Sequence, residues 1–236
     1  MKFERAANYD KFALAQDAAA GELARALKDF ACQNRAKGFK FESAYEIGCG
    51  SGLLTRRLTH DFKFETLTLN DLYEAPAMKD FPRQIGDIRA LALPRELDLI
   101  ASSSVFQWIE DLPALAARLA ASLKPGGVLA FSAFCGRTLS ELSDFTRQGL
   151  DYKSASEFRE IFSRDFAIAS FSHGRYIERF GSLRELLNSL KQTGVNNVRG
   201  DFTLTKSSLG AMDAHFGGRY ALSYEYVVMI CQKEKK

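Results

Sequence analysis

In the stretch YEIGCGSGLL, Tyr45 to Leu54, glycine stands at every second position: Gly48, Gly50 and Gly52. A short apolar run carrying one acid, Glu46, leads into it, and LLTRRLTHDF follows. The run SAYEI reads as a short buried strand and LLTRRLTHDF as a helix, so the glycines form a tight turn between strand and helix. Glycine there lets the chain reverse sharply and lets a ligand lie against backbone amides.

The alternation continues downstream. ETLTLND reads as a second strand, LDLIASSS as a third and VLAFSAF as a fourth. The helix LPALAARLAASL precedes the fourth strand and ends at Lys124-Pro125-Gly126-Gly127. Strands alternating with helices predict βαβ units, hence an α/β fold with a parallel, doubly wound sheet. After Phe134 the rhythm changes. RTLSELSDFTRQGL and SASEFREIFS read as helices, FAIASFSHGRYIERF as a strand bent at Gly174, LRELLNSLKQTG as a helix, and RYALSYEYVVMICQ as the final strand. Residues 182–216 are thus a helical insertion between the last two strands. Residues 10–30 carry Phe12, Leu14, Leu23, Leu27 and Phe30 among alanines, an amphipathic helical pattern. The expectation is one domain, 1–236, with an N-terminal helical cap (1–30), a ligand-binding core (42–134) and the insertion as a lid.

Composition sets outer bounds. A chain of 236 residues folding as one unit buries roughly 70–75% of its unfolded surface. The opening MKFERAANYD has no apolar signal core, and the run YVVMIC is far short of the ~20 residues that span a bilayer. Cys32, Cys49, Cys135 and Cys231 form no CxxC pair, so neither a zinc site nor a disulfide framework is expected, and a reducing cytoplasm fits. A net charge of +3 is too small to demand nucleic acid yet compatible with an acidic protein partner.

Two cofactor classes use a glycine turn of this kind. A dinucleotide site has GxGxxG with pyrophosphate on the helix N-terminus. Here the spacing is GxGxG with an acid two residues ahead, and E-x-G-x-G-x-G resembles the first motif of class I S-adenosylmethionine-dependent methyltransferases. That cofactor carries an ammonium and a sulfonium, beside which Glu46 is favourable. The resemblance implies further positions. Asp71, 19 residues after Gly52 and followed by Leu72, would accept from both ribose hydroxyls. Gly86-Asp87-Ile88 resembles the adenine-binding segment, Asp87 accepting from the exocyclic amine, and LKPGGVLAFS resembles the helix-to-strand turn of the superfamily. The implied fold is Rossmann-like, with a mostly parallel sheet and an antiparallel last strand.

Three stretches resemble a narrower group, the malonyl-[acyl-carrier-protein] O-methyltransferases of biotin synthesis. They are Phe3 to Asp10 with Ala13 and Gln16, the run SSSVFQW from Ser102 to Trp108, and LLNSLKQTGVNN followed by LTKSSL and GRYALSYEYVVMI. The chain departs from the group in its short segment 59–98 and at Phe12, where the family often has histidine. The resemblance implies methylation of the free carboxylate of a malonyl thioester on acyl carrier protein or coenzyme A. Two other readings stay open: a methyltransferase for another small acid or amine, and a non-catalytic partner protein that keeps the pocket.

The chemistry needs little machinery. A malonyl carboxylate has a pKa near ~4, so it is an anionic nucleophile at neutral pH and no general base is required. Placement of one oxygen in line with the sulfonium methyl, in a site shielded from water, suffices. Arg175, with Arg179 as the alternative, is expected to hold the second carboxylate oxygen because the guanidinium fork matches a carboxylate. Tyr9 is expected to close the pocket and donate to the substrate, Ser103 to touch the cofactor, and Trp108 to line the pocket wall. Arg184, Lys191, Arg199 and Lys206 are expected to make the lid basic, so that an acidic carrier protein docks there.

Overall fold

The computed structural model describes residues 6–34, 40–193 and 205–234. Its seven strands are β1 (Lys40–Ile47), β2 (Lys63–Asp71), β3 (Arg83–Ile85), β4 (Leu97–Ser103), β5 (Leu123–Cys135), β6 (Ala167–Arg179) and β7 (Ala221–Gln232). They form one sheet in the order β3-β2-β1-β4-β5-β7-β6. Strands β1 to β5 pair in parallel, and β7 runs antiparallel to both of its neighbours. The doubly wound α/β sheet with an antiparallel last strand is the expected one.

Helices α1 (Ala6–Phe12), α2 (Leu14–Asn34), α3 (Leu53–Asp61), α4 (Leu112–Ser122), α5 (Ser140–Thr146), α6 (Ala155–Phe162), α7 (Leu183–Thr193) and α8 (Lys206–Phe216) complete the described fold. One face of the sheet packs on α2, α3, α7 and α8 through Leu23, Leu27, Leu58, Leu186 and Phe216. The other packs on α4 and α6 through Leu112, Leu119, Phe158 and Phe162. Small alanines at Ala15, Ala19, Ala20 and Ala24 are buried along α2 and let that long helix lie close on the sheet. Helix α4 starts where Asp111 accepts from Ala114 N, and α6 starts with a capping box between Ser154 and Glu157.

Two local expectations need correction. Strand β3 is an additional, three-residue strand, so the third expected strand is the fourth observed. The short segment after β2 agrees with the reading: a single 3-10 turn, Pro76–Met78, makes the crossover to β3 and buries Met78. Finally, β6 does not bend at Gly174, because the ladder runs through it in the pairs His173↔Val227, Gly174↔Tyr226 and Arg175↔Glu225. The glycine serves a neighbour instead. A Cβ at Gly174 would lie 2.6 Å from Cε2 and Cζ of Tyr226, whose hydroxyl donates to Glu22 Oε2 on α2 at 2.8 Å. Gly174→Ala is therefore expected to destabilise the fold by about 1–3 kcal/mol through overpacking. Urea denaturation checks this, and an unchanged midpoint would mean that the ring swings aside freely.

Candidate active site

Between β1 and β4 the chain order of the sheet reverses, and a crevice opens there beyond the carboxyl ends of the parallel strands. It holds a cavity of about 500 Å³ whose floor comes from the loops after β1, β2, β3 and β4. Tyr9 of α1, Gln16 of α2 and Lys191, Gln192 and Thr193 of α7 line it as well.

The three glycines of the turn do three different jobs. Gly48, Gly50 and Gly52 all have left-handed backbones, φ 69°, 51° and 87°. A Cβ at Gly50 would meet nothing within 4 Å, so this residue faces the open cavity. A Cβ at Gly48 would overlap the Val105 side chain, which closes the cavity floor. Gly52 is outside the cavity wall: it precedes α3, and its Cβ would lie 3.0 Å from that of Ala77. The expectation that Gly52 touches the ligand is corrected to a packing role. The turn is held by Asn70, whose carbonyl accepts from Gly48 N at 2.8 Å and Cys49 N at 2.9 Å. The Asn70 side-chain amide donates to Gln84 O at 2.9 Å and Gly86 O at 3.1 Å, fixing the loop after β3 to the same residue.

Glu46 is 1% exposed, and its Oε2 has no hydrogen-bond partner among the described residues. Burial pushes its carboxyl up to about 7, and the Asp71 charge adds to the rise. A buried, unpartnered carboxylate oxygen on the wall of a largely apolar cavity is a feature that a cationic ligand would satisfy. Tyr9 is pushed up to about 12, first by burial and then by the charges of Asp10 and Asp71, so its hydroxyl remains a donor throughout the neutral range.

Asp71 edges the cavity, with Oδ2 accepting from Gly50 N at 2.8 Å. Asp71→Ala removes both this brace and the carboxylate expected to accept from two ribose hydroxyls. It is expected to weaken cofactor binding by about 1.5–3 kcal/mol, the range for hydrogen bonds to a charged group. Calorimetric titration of a folded variant checks it, and unchanged affinity would remove Asp71 from the site. Leu72, beside it, is 56% exposed on the rim, and Ile88 is buried in the wall.

Asp87 lines the cavity, but its carboxylate is committed. Oδ1 accepts from Arg89 N at 2.9 Å and Arg89 Nε at 3.0 Å, and Oδ2 from Nε at 2.9 Å and Nη2 at 2.5 Å. The Arg89 guanidinium holds the Asp87 carboxyl below the usual carboxylate range. An amine reaching Asp87 has to share it with Arg89, a competition that the sequence did not announce.

At the end of β4, Ser103 lines the cavity and shares a hydrogen bond with Ser132 Oγ at 2.9 Å. Its neighbour Ser104 is a residue that sequence reasoning passed over. It has φ 59°, in the left-handed region, and on the cavity wall a buried hydroxyl without a partner among the described residues. Ser104 N donates to Ser132 O at 2.9 Å, and Ser104 O accepts from Gln107 Nε2 at 2.8 Å, so the unusual backbone is held on both sides. Trp108 sits on the cavity rim, 50% exposed, not in a buried wall.

The expected arginines lie elsewhere. Arg175 and Arg179 are exposed on the edge strand β6 and do not line the cavity, and Arg175 Nη2 donates to Ser223 Oγ at 2.8 Å. The even-odd alternation of a long edge strand turns Arg175 away from α2, the helix that carries Gln16, which corrects its expected role. Lys206 is exposed at the start of α8 and also outside the cavity. Arg199 is outside the described residues. In their place α7 brings Lys191 to the cavity, a residue read from sequence only as one of the basic charges of the lid.

With this geometry in hand, relatives decide the family. Residues 15–199 match the methyltransferase domain family. A malonyl-[acyl-carrier protein] O-methyltransferase of Calditerrivibrio nitroreducens is 33% identical over 208 residues, covering 84% of this chain and 83% of the relative. The chain belongs to that methyltransferase family.

Solved structures agree on the fold. YcgJ of Bacillus subtilis superposes with a TM-score of 0.65 at 12% identity, covering 92% of this chain and 100% of its own. Phosphoethanolamine N-methyltransferase 2 of Haemonchus contortus, crystallised with S-adenosylhomocysteine, gives 0.53 at 16% identity over 88% of this chain and 52% of its own. The cofactor of the family is S-adenosylmethionine, and the residues present fit it. Glu46 offers an unpartnered acceptor to a cationic group, Gly50 leaves open space, and Asp71 offers a carboxylate at the end of β2. Among the described residues no helix is long and apolar enough to cross a membrane.

Proposed function

We propose that this methyltransferase esterifies the free carboxylate of a malonyl thioester carried on acyl carrier protein, an early step in making the pimeloyl part of biotin. The observation that carries this reading is the match over 84% of the chain to a protein of that name. When bound, S-adenosylmethionine supplies an electrophilic methyl group. The chain's own residues then have three tasks. Glu46, Gly50 and Asp71 seat the cofactor. The Tyr9 phenol, a donor at working pH, binds a substrate oxygen. Tyr9 and α7 cover the cleft and limit water, which would otherwise solvate the anionic nucleophile. No side chain has to remove a proton.

The test is incubation of the purified protein with S-adenosylmethionine and malonyl-carrier protein, malonyl-coenzyme A or free malonate, read by mass spectrometry. A methyl ester on the thioesters but not on malonate supports the reading, and no ester on any of the three overturns it. Exposed basic side chains at Arg175, Arg179, Arg184 and Lys206 favour docking of an acidic carrier on the β6 and lid side. Reversal of Arg199 and Lys206 to glutamate is expected to raise KM for malonyl-carrier protein and flatten its dependence on salt, with much less change for malonyl-coenzyme A. Equal effects on both substrates would place the carrier elsewhere. A cytoplasmic site of action follows from this role.

A further inference from the structure

A carboxylate entering the cleft meets three acids on its walls, Glu46, Asp71 and Asp87. Two cations line the same cavity among the described residues, Arg89 and Lys191. Arg89 is engaged by Asp87 through Nε and Nη2, and its charge is offset there. Lys191 has no hydrogen-bond or ion-pair partner among the described residues. Its backbone is nevertheless fixed. Leu186 and Leu190 of α7 are buried in the core, Ser189 Oγ donates to Glu178 Oε1 on β6 at 3.4 Å, and Thr193 Oγ1 donates back to Ser189 O at 3.0 Å. Helix α1, which carries Tyr9, packs against α7. The structure therefore holds Lys191 on the cavity lining, with its ammonium unpartnered among the described residues.

We propose that Lys191 is the specificity-determining residue for the substrate, its ammonium pairing with the free carboxylate and turning it toward the transferred methyl group. This rests on the carboxylate-methylation reading. An ammonium on a flexible stem suits the task, since it can follow the carboxylate as it approaches the donor. Its pairing also distinguishes substrate from product. Methylation removes the negative charge, so the ester has nothing for Lys191 to hold and leaves more easily.

The experiment uses Lys191→Met and Lys191→Arg with S-adenosylhomocysteine present, and compares binding of malonyl-coenzyme A with that of its methyl ester. Both ligands carry the same coenzyme, so phosphate contacts cancel. Lys191→Met is expected to weaken malonyl-coenzyme A binding about 10- to 100-fold, the effect of losing one charge-assisted hydrogen bond. Ester and S-adenosylhomocysteine affinities are expected to be unchanged, and Lys191→Arg is expected to restore most of the loss. An equal loss for acid and ester, a loss of S-adenosylhomocysteine binding, or no loss at all would overturn the proposal. A wild-type protein that methylates neither malonyl-coenzyme A nor malonyl-carrier protein would overturn the substrate reading itself, whatever the variants do.

Discussion

Gly50→Val is expected to leave a folded protein that no longer binds S-adenosylmethionine. Gly50 has φ 51°, a region that β-branched residues essentially avoid. Its missing side chain faces open cavity, so nothing among the described residues opposes a valine except backbone strain, and the two methyl groups would occupy the space a ligand needs. Relief of the strain would move Gly50 N from Asp71 Oδ2, now 2.8 Å away, and so loosen a second residue of the proposed cofactor site. Calorimetry should find no binding at concentrations about 100-fold above the wild-type Kd, equivalent to a loss beyond about 3 kcal/mol. Circular dichroism should show the secondary structure intact. Normal affinity in the valine variant would reduce the turn to a packing device.

Glu46→Gln should separate stability from binding. The folded carboxyl is raised to about 7 from 4.5, so between these values the native state keeps a proton that the unfolded chain has already released. Native stability then falls as pH rises across that window, and above it the whole penalty is present. A rise of that size corresponds to roughly 3 kcal/mol for a group this deeply buried. Glutamine has no such titration. At pH 8 the ligand-free variant is expected to melt several degrees above wild type, and near pH 4.5 the two should converge. Binding should move the opposite way. A cationic ligand favours ionised Glu46, so wild-type affinity should drop below about pH 7 with proton release on binding, while the variant binds weakly at every pH. Parallel melting curves for the two proteins from pH 4.5 to 8 would show that Glu46 is not the buried acid described.

Much of this was legible in the sequence because it is written in local patterns. The glycine spacing, the acids Glu46 and Asp71, and the strand and helix periods before Phe134 each depend on residues close in the chain. The elements that escaped depend on distant partners. Strand β3 is three residues long and exists because Asn70 and Asp71 pair with Gln84 and Ile85. Gly174 looked like a hinge, although its meaning is the ring of Tyr226 on the neighbouring strand. Arg175 has the right chemistry and stands beside a glycine, but which way a strand residue points is set by register with β7, fixed some 50 residues later. The cavity positions of Lys191 and Ser104 are illegible in the sequence for the same reason: one depends on how α7 docks, the other on a backbone conformation that the string SSS does not announce.

Asn70 has a consequence for the timing of order. Its carbonyl grips the turn after β1 and its amide grips the loop after β3, so the walls flanking Asp71 on two sides are clamped to one buried residue. Their conformational entropy is lost when the sheet forms, before any ligand arrives. Association therefore need not freeze those loops again, and the cofactor should meet a rigid half-site whose amide exchange is already slow in its absence. Adaptation to the second reactant is left to the opposite side of the cleft, where Tyr9 and the end of α7 belong to helices outside that clamp.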